Sequence, residues 1–404
     1  MKKTISQFIA AELKRQQTTL DLIPSENIAS RRVLAALASP FVNKYAEGYP
    51  GRRYYPGNAV ADEMETYVQD LVRRVFKLDD SYAVNVQPHS GSPANLAVYL
   101  GLLEPGDTLM GLELSSGGHL THGTKVSASG RLFASIKYFV DPRTGLLDYD
   151  EILAIAKRHA PKLIVSGATA YPRTIDFARF HDIAKKVGAY SMADISHIAG
   201  LVAGRVHPSP FPFTDVVTFT THKTLRGPRG AVVVAKQELL GKINKSVFPG
   251  LQGGPHLHSI AAIGAALEEA LKPSFSAYSR QVVKNAVALA HELTKLGYAV
   301  VTGGTDTHLL LIDLRPKGVL GKVAQDLLEE VGIIANRNTV PGDTKPFDPS
   351  GVRMGTPSLT SRGMKERQMR AVAALVHDAL AKRRTAKAIQ KDVAALCKKF
   401  PLPY

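Results

Sequence analysis

Cysteine is nearly absent: Cys397 stands alone among 404 residues. One cysteine excludes an internal disulfide framework and a cysteine-rich metal site. It fits a reducing, cytoplasmic setting. Long apolar runs are also missing, and none approaches the roughly 20 residues that a membrane-spanning helix needs. The start, MKKTISQFIAAELKRQQ, has the basic opening of a secretory leader, but Glu12, Lys14 and Arg15 break its apolar stretch too early. There are no internal repeats and no low-complexity linkers, so nothing points to a repeat array. Acid is the scarce charge, with 35 Asp and Glu against 51 Lys and Arg, a net +16.

What is present is ordinary for a globular chain. Hydrophobic residues make up 45% and charged residues 21%. The length allows a sizeable core and two domains. The positive excess is uneven. From Ser361 to Tyr404 there are eleven Lys and Arg against three Asp and Glu, a net +8, half of the total. This tail contains AVAALVHDAL, with helical apolar spacing. We expect a packed helix with a solvated basic face. A nucleic-acid or membrane surface is the sharper alternative, yet no zinc-finger spacing or RNA-recognition signature accompanies it.

Strand-like and helix-like stretches alternate. YAVNVQ (82–87) reads as a strand and SPANLAVYLGLL (92–103) as a helix. DTLMGLEL (107–114), KLIVSGA (162–168), AYSMAD (189–194), DVVTFTT (215–221) and GAVVVA (230–235) are short apolar runs with polar, Gly or Pro borders. DFARFHDIAKKVG (176–188) has helical spacing. Such alternation predicts an α/β layer with a mostly parallel sheet. After about residue 275 the pattern changes to a long helix (277–297), strands near 299–301 and 308–314, and further helices. A smaller C-terminal α+β domain is expected there. The division reads as an N-terminal arm (1–24), a large domain (25–276) and a small domain (277–404).

In open α/β sheets ligands lie beyond the carboxyl ends of the strands. After YAVNVQ comes PHSGSPAN, where a Ser-Gly-Ser at a helix start offers hydroxyls and free backbone N–H groups to a phosphate. Serine there also serves simple capping. After DTLMGLEL comes SSGGHLTHG. Its two histidines lie three apart, but no third metal ligand is near, and a strand-end histidine can lie against a planar cofactor. Asp194 ends AYSMAD, and a carboxylate at a buried strand end calls for a cationic partner or a cap role. Twenty-nine residues later comes Lys223, in THKTLRGPRG. A semi-buried lysine suits Schiff-base chemistry. Phosphate turn, aspartate and lysine, in that order, are the three handles of pyridoxal phosphate.

At this point the chain resembles the serine hydroxymethyltransferases, pyridoxal-phosphate enzymes of the aspartate aminotransferase fold type (fold type I). The stretches that carry the resemblance are SEN (25–27), NKYAEGYPGRRYY (43–55), NVQPHSGSPANLAVY (85–99), GGHLTHG (117–123), TTHKTLRGPRG (220–230), FPGLQGGP (248–255), NRNTVPGD (336–343) and GVRMGTP (351–357). They span nearly the whole chain. The resemblance implies reversible transfer of the serine hydroxymethyl carbon to tetrahydrofolate or a related pterin. It implies that Lys223 condenses with the cofactor aldehyde, that Asp194 meets the pyridine nitrogen, and that His119 stacks on the ring. Thr169 and His197 would lie near the phenolic oxygen, and Ser90, Gly91 and Ser92 would hold the phosphate. Gly253 and Gly254 would come from the partner subunit of a homodimer with shared active sites. Arg353 with Ser25 would take the substrate carboxylate. Glu47, Tyr45 and Tyr55 would reach the reacting carbon across the interface, with Glu47 passing protons. Thr220, His222 and Arg229 would shape the lysine's surroundings. Leu114, Gly117, Gly118, Leu120 and Asn338 would bind the folate. No metal is implied.

Several positions depart from the family pattern. RYYPGNAVAD carries Pro56, Ala59 and Val60, DISH carries Ser196 in place of a small apolar residue beside the ring, and Ala231 replaces a glycine. Two rival functions follow from the residues. One is a folate-independent aldolase or transaldolase on other β-hydroxy amino acids, against which Glu47 and Asn338 stand. The other is a nucleic-acid-binding protein on the same fold, for which the basic tail is the only support. Intact Lys223 and Asp194 stand against it, and nucleic acid is expected to bind by nonspecific charge alone.

Overall fold

The computed structural model describes residues 3–343 and 348–404. Helix α1 (Ile5–Thr18) opens the chain, capped by Thr4, and buries none of its own residues. Helix α2 (Ala59–Phe76) follows a turn-rich segment. The larger sheet then builds from β1 (Tyr82–Asn85), β2 (Thr108–Leu112), β3 (Ala134–Tyr138), β4 (Leu163–Ser166), β5 (Tyr190–Asp194), β6 (Val216–Thr220) and β7 (Ala231–Lys236). Their order across the sheet is β1-β7-β6-β5-β4-β2-β3. Every pairing from β6 to β3 is parallel, and β7 runs antiparallel to both its neighbours.

The local reasons are plain. VVTFT in β6 is buried at every position, as expected where helices cover both faces of a parallel sheet. Helix α3 (Gly91–Leu102) joins β1 to β2. Helix α4 (Tyr149–His159) precedes β4, and α5 (Phe177–Val187) joins β4 to β5. Asp176 caps α5 by accepting from Arg179 N–H, and the chain turns out of the helix at Gly188, φ 71°. Between them Phe177, Phe180, Ile183 and Ala184 recur at helical spacing and are buried. Each large side chain of that kind contributes about 1.5–3 kcal/mol.

Helix α6 (Leu257–Ala270) packs on α2, and the long α7 (Pro273–Lys295) links two cores. Val282 of α7 belongs to the core of the larger sheet, while Leu289 and Leu293 belong to a second core. That second core surrounds a four-stranded antiparallel sheet of β8 (Ala299–Val300), β9 (Leu309–Asp313), β10 (Asn336–Asn338) and β11 (Gly351–Gly355), ordered β8-β9-β11-β10. Helix α8 (Gly321–Glu330) packs against it.

The basic tail forms α9 (Glu366–Leu380) and α10 (Ala386–Lys399). Met369, Val372 and Val376 of α9, and Ile389, Val393 and Cys397 of α10, are buried in the second core. Arg384 pairs with Asp378 and Asp392. Arg362 is buried and donates to five carbonyls: Gln16, Gln17 and Thr19 at the end of α1, Cys397 in the last turn of α10, and Phe400 just beyond it. Among the described residues, no helix is long and apolar enough to cross a membrane.

Candidate active site

The carboxyl ends of β1, β2, β4, β5 and β6 open on one side of the larger sheet. Ser90, Gly91, Ser92, His119, Thr169, Asp194, His197, Thr220, His222, Lys223 and Arg229 line one cavity there, of about 480 Å3, together with Ser25, Asn338 and Arg353. The last two come from the smaller sheet, so the cavity lies between the two sheets.

Asp194 is the most constrained group. It is 9% exposed. Its Oδ2 accepts from Asn95 Nδ2 at 2.8 Å and from His122 Nε2 at 3.1 Å, and its Oδ1 accepts from Ser196 N–H at 3.0 Å. Burial pushes its carboxyl pKa up, but the His122 hydrogen bond and the neighbouring imidazoles outweigh burial and hold it far below the usual range. The group is therefore an anion at neutral pH. His122 Nδ1 accepts from the backbone N–H of His119, which leaves its proton on Nε2, facing the carboxylate.

His119 is kept neutral. Burial first, then His122, lowers its pKa to about 4, and Lys223 adds to the fall while Asp194 opposes it. Its Nδ1 accepts from Thr121 N–H, which fixes the ring. Lys223 falls to about 8 through burial, with Asp194 opposing and Arg353 and Arg229 assisting. At pH 7 about one amine in ten is then neutral, against fewer than one in a thousand for an ordinary lysine. The turn that carries Lys223 is pinned, since its carbonyl accepts from Asn27 Nδ2 and from Arg226 N–H.

Gly91 stands where α3 begins. A Cβ there would lie 2.6 Å from Thr220 Cγ2, so only glycine lets the helix start approach β6. The buried Thr220 Oγ1 and His222 Nδ1 have no hydrogen-bond partner among the described residues. Arg353 donates Nη1 to Thr169 O and Nε to Asn336 Oδ1. Burial lowers its pKa to about 10, and it stays charged.

Other predicted residues lie apart from this cavity. Tyr45, Glu47, Gly253 and Gly254 form their own group: Tyr45 Oη donates to Glu47 Oε1 at 3.1 Å, and a methyl group on Gly253 would lie 3.1 Å from the same oxygen. Tyr55 packs edge-on against Tyr45. The loop bearing them is held by Arg53, which donates to Ala46 O and Gly48 O and pairs with Asp62 and the fully buried Glu65. Leu120, 46% exposed, lines a neighbouring apolar cavity of about 470 Å3 that shares Ser92 with the main one. Leu114 begins a short turn ending at Gly117. The carbonyls of Gly117 and Gly118 both accept from Thr169 Oγ1. Among the described residues no cluster of His, Cys, Asp or Glu is arranged to hold a metal ion.

Sequence reasoning missed Asn95, Arg53 and His308. Asn95 had left a trace, a lone amide inside the apolar helix SPANLAVY. Arg53 and His308 left none that spacing could reveal, because their partners lie far off in sequence.

A mostly parallel α/β sheet with a low-pKa lysine, an ionised aspartate and a helix-start cradle at its strand ends defines the fold-type-I class of pyridoxal-phosphate enzymes. Within that class, the chain belongs to the serine hydroxymethyltransferase family, whose profile matches residues 1–376. A protein named serine hydroxymethyltransferase from Desulforapulum autotrophicum is 52% identical over 399 residues, 98% of this chain and 95% of that one. Another of the same name, from Acidothermus cellulolyticus, is 51% identical over 410 residues, 99% of this chain and 95% of that one.

Proposed function

We propose that Lys223, Asp194 and the groups around them carry the reaction of this family, the reversible transfer of the serine hydroxymethyl group to tetrahydrofolate, giving glycine and 5,10-methylenetetrahydrofolate. The chain is a transferase of serine, glycine and one-carbon metabolism, with pyridoxal phosphate as its cofactor. One observation carries the residue assignment: a buried, ionised Asp194 and a Lys223 of lowered pKa face the same cavity.

The residues present fit the cofactor. The N-terminus of α3, at Ser90, Gly91 and Ser92, lines the cavity and suits a phosphate. Thr220 Oγ1 and His222 Nδ1 are polar atoms still to be paired. When bound, the cofactor supplies an electron sink for the bond broken at the substrate Cα. Ser90, Gly91 and Ser92 hold its phosphate, and Asp194 keeps a proton on its ring nitrogen. His119 offers an uncharged ring to stack on it. Thr169 and His197 serve its phenolic oxygen.

Arg353 has Nη2 left after its bonds to Thr169 and Asn336, and with Ser25 it takes the substrate carboxylate. Leu114, Gly117, Gly118, Leu120 and Asn338 serve the folate. Glu47 moves a proton at the oxygen of the transferred carbon. Glu47 and Tyr45 stand with Gly253 and Gly254, outside the cavity of their own Lys223. This grouping supports a homodimer in which each subunit completes the other's site. The single, buried cysteine supports a cytoplasmic setting.

Two measurements test this reading. Glycine and tetrahydrofolate added together should produce a long-wavelength absorption band that neither gives alone. The same band with glycine alone would point to folate-independent aldol chemistry. Mixing inactive Lys223→Ala and Glu47→Gln subunits should restore about a quarter of full activity, since half of randomly paired dimers hold one intact site. No recovery would place Glu47 in its own subunit's site.

A further inference from the structure

His197 lines the cavity, and its Nδ1 lies 3.1 Å from Nε2 of His308. His308 sits one residue before β9, so this contact ties the smaller sheet to the site. The exposures are 4% for His197 and 0% for His308. Burial, helped by Lys223 and Arg353, pushes His197 well below the ordinary imidazole range. Burial, helped by Arg353, Lys223 and His207, lowers His308 to about 3. His119 also faces His197, and His207 is itself lowered by burial, so cations and neutral imidazoles surround the pair. Each neutral ring carries one proton, and only one of the two can lie between His197 Nδ1 and His308 Nε2.

The far side of His308 decides which ring owns it. Its Nδ1 is buried and has no hydrogen-bond partner among the described residues. If His197 were the donor, His308 would carry its single proton on Nδ1, as a buried N–H without an acceptor. If His308 donates from Nε2, its Nδ1 is only a bare lone pair. An unpaired buried donor is the rarer and costlier arrangement. His308 is thus the donor, His197 Nδ1 the acceptor, and the proton of His197 sits on Nε2, the ring nitrogen left for the cavity.

We propose that His308 is a positioning residue for the reaction: it locks His197 in the tautomer that offers an N–H donor to an anionic oxygen bound in the cavity. The proposal rests on the placement of His197 in the site described above. It is tested first on the cofactor-free protein labelled with 15N-histidine. The His197 resonances should show Nε2 protonated and Nδ1 bare. The second test is affinity for pyridoxal phosphate, read by fluorescence titration across pH. His308→Leu cannot donate, and should weaken binding about tenfold while its His197 populates both tautomers. His308→Gln keeps an N–H donor and should stay within about threefold of wild type. Equal losses in both variants, with an unchanged His197 spectrum, would reduce His308 to a packing residue. If His308→Leu folds poorly, the wild-type spectrum still decides. An Nδ1-protonated His197 overturns the proposal even where serine turnover is normal. A protein with the expected spectrum and no serine turnover would overturn the function and leave the tautomer standing.

Discussion

Replacing Asn95 by leucine tests how Asp194 stays ionised. Leucine keeps the branched four-atom skeleton of the amide and removes its polar atoms, though its methyl groups are bulkier and add to the cost at this buried site. Three hydrogen bonds go: Asn95 Nδ2 to Asp194 Oδ2 at 2.8 Å, Asn95 Nδ2 to Thr121 Oγ1 at 2.9 Å, and Thr218 Oγ1 to Asn95 Oδ1 at 2.6 Å. The first is charge-assisted and contributes about 1.5–3 kcal/mol; the stranded Thr218 hydroxyl adds about 1 kcal/mol. A loss of roughly 2.5–4 kcal/mol corresponds to a fall in Tm of about 3–5 °C for a chain of this size, whose unfolding entropy grows with its length. The sign with pH follows from the depressed pKa of Asp194. A carboxylate held below its unfolded value contributes stability above about pH 4, and loses it as pH falls through the folded value. The gap between wild type and variant should therefore be widest at neutral pH. It should narrow in acid, once the variant's Asp194 takes up a proton that the wild type still resists. The assay is differential scanning calorimetry of the cofactor-free protein from pH 8 down to the acid limit of folding. An unchanged Tm at pH 7, or a gap that widens as the pH falls, would refute the reasoning.

Three further outcomes are expected. The rate at which cofactor-free protein captures pyridoxal phosphate should rise with pH and level off above about 8, because the neutral Lys223 amine is the reacting form; stopped-flow absorbance gives the profile, and a rate that keeps climbing through about pH 9–10 would contradict the lowered pKa. Glu47→Gln should cost about 10²–10⁴-fold in turnover of serine with tetrahydrofolate but far less with allo-threonine, whose aldehyde product leaves without capture; equal losses would make Glu47 a structural group. Ser196→Ala should strand the backbone N–H of Thr220, which now donates to Ser196 Oγ at 3.1 Å, and cost about 1–3 kcal/mol by thermal melting. Unchanged stability would mean that the hydroxyl is dispensable.

The parts of the fold that the sequence made legible are those set by local pattern. Buried central strands such as VVTFT announce themselves as apolar runs, and α5 by its spacing between Asp176 and Gly188. Strand β3 was missed because ASIKY lies at the sheet's edge, with Ala134 exposed and only Tyr138 fully buried. The antiparallel run of β7 was not readable either, because a strand buried on both faces looks the same in either direction. In the site, Lys223 and Asp194 were legible because a charge at the end of an apolar run is conspicuous. What holds Asp194 was not. Asn95 and His122 reach it across 99 and 72 residues, and such contacts depend on how helices dock, which periodicity does not encode. The motifs named Glu47 and Gly253 in separate stretches, and only the folded chain shows them beside each other and away from their own lysine.

The two ends of this protein are not independent appendages. Arg362 gathers carbonyls from Gln16 and Thr19 on one side and from Cys397 and Phe400 on the other, and 346 residues of chain separate it from Gln16. As the chain leaves the ribosome, the last turn of the first helix therefore waits for almost the whole polypeptide before its oxygens find this donor. Cys397 and Phe400 follow later still, and the closing step joins α1 to α10. Trimming the residues from Lys398 onward should then loosen not only the C-terminal helix but α1, at the opposite end of the sequence. Faster amide exchange at residues 5–18 in the shortened chain would show that coupling, and unchanged exchange there would show that the two termini are held separately.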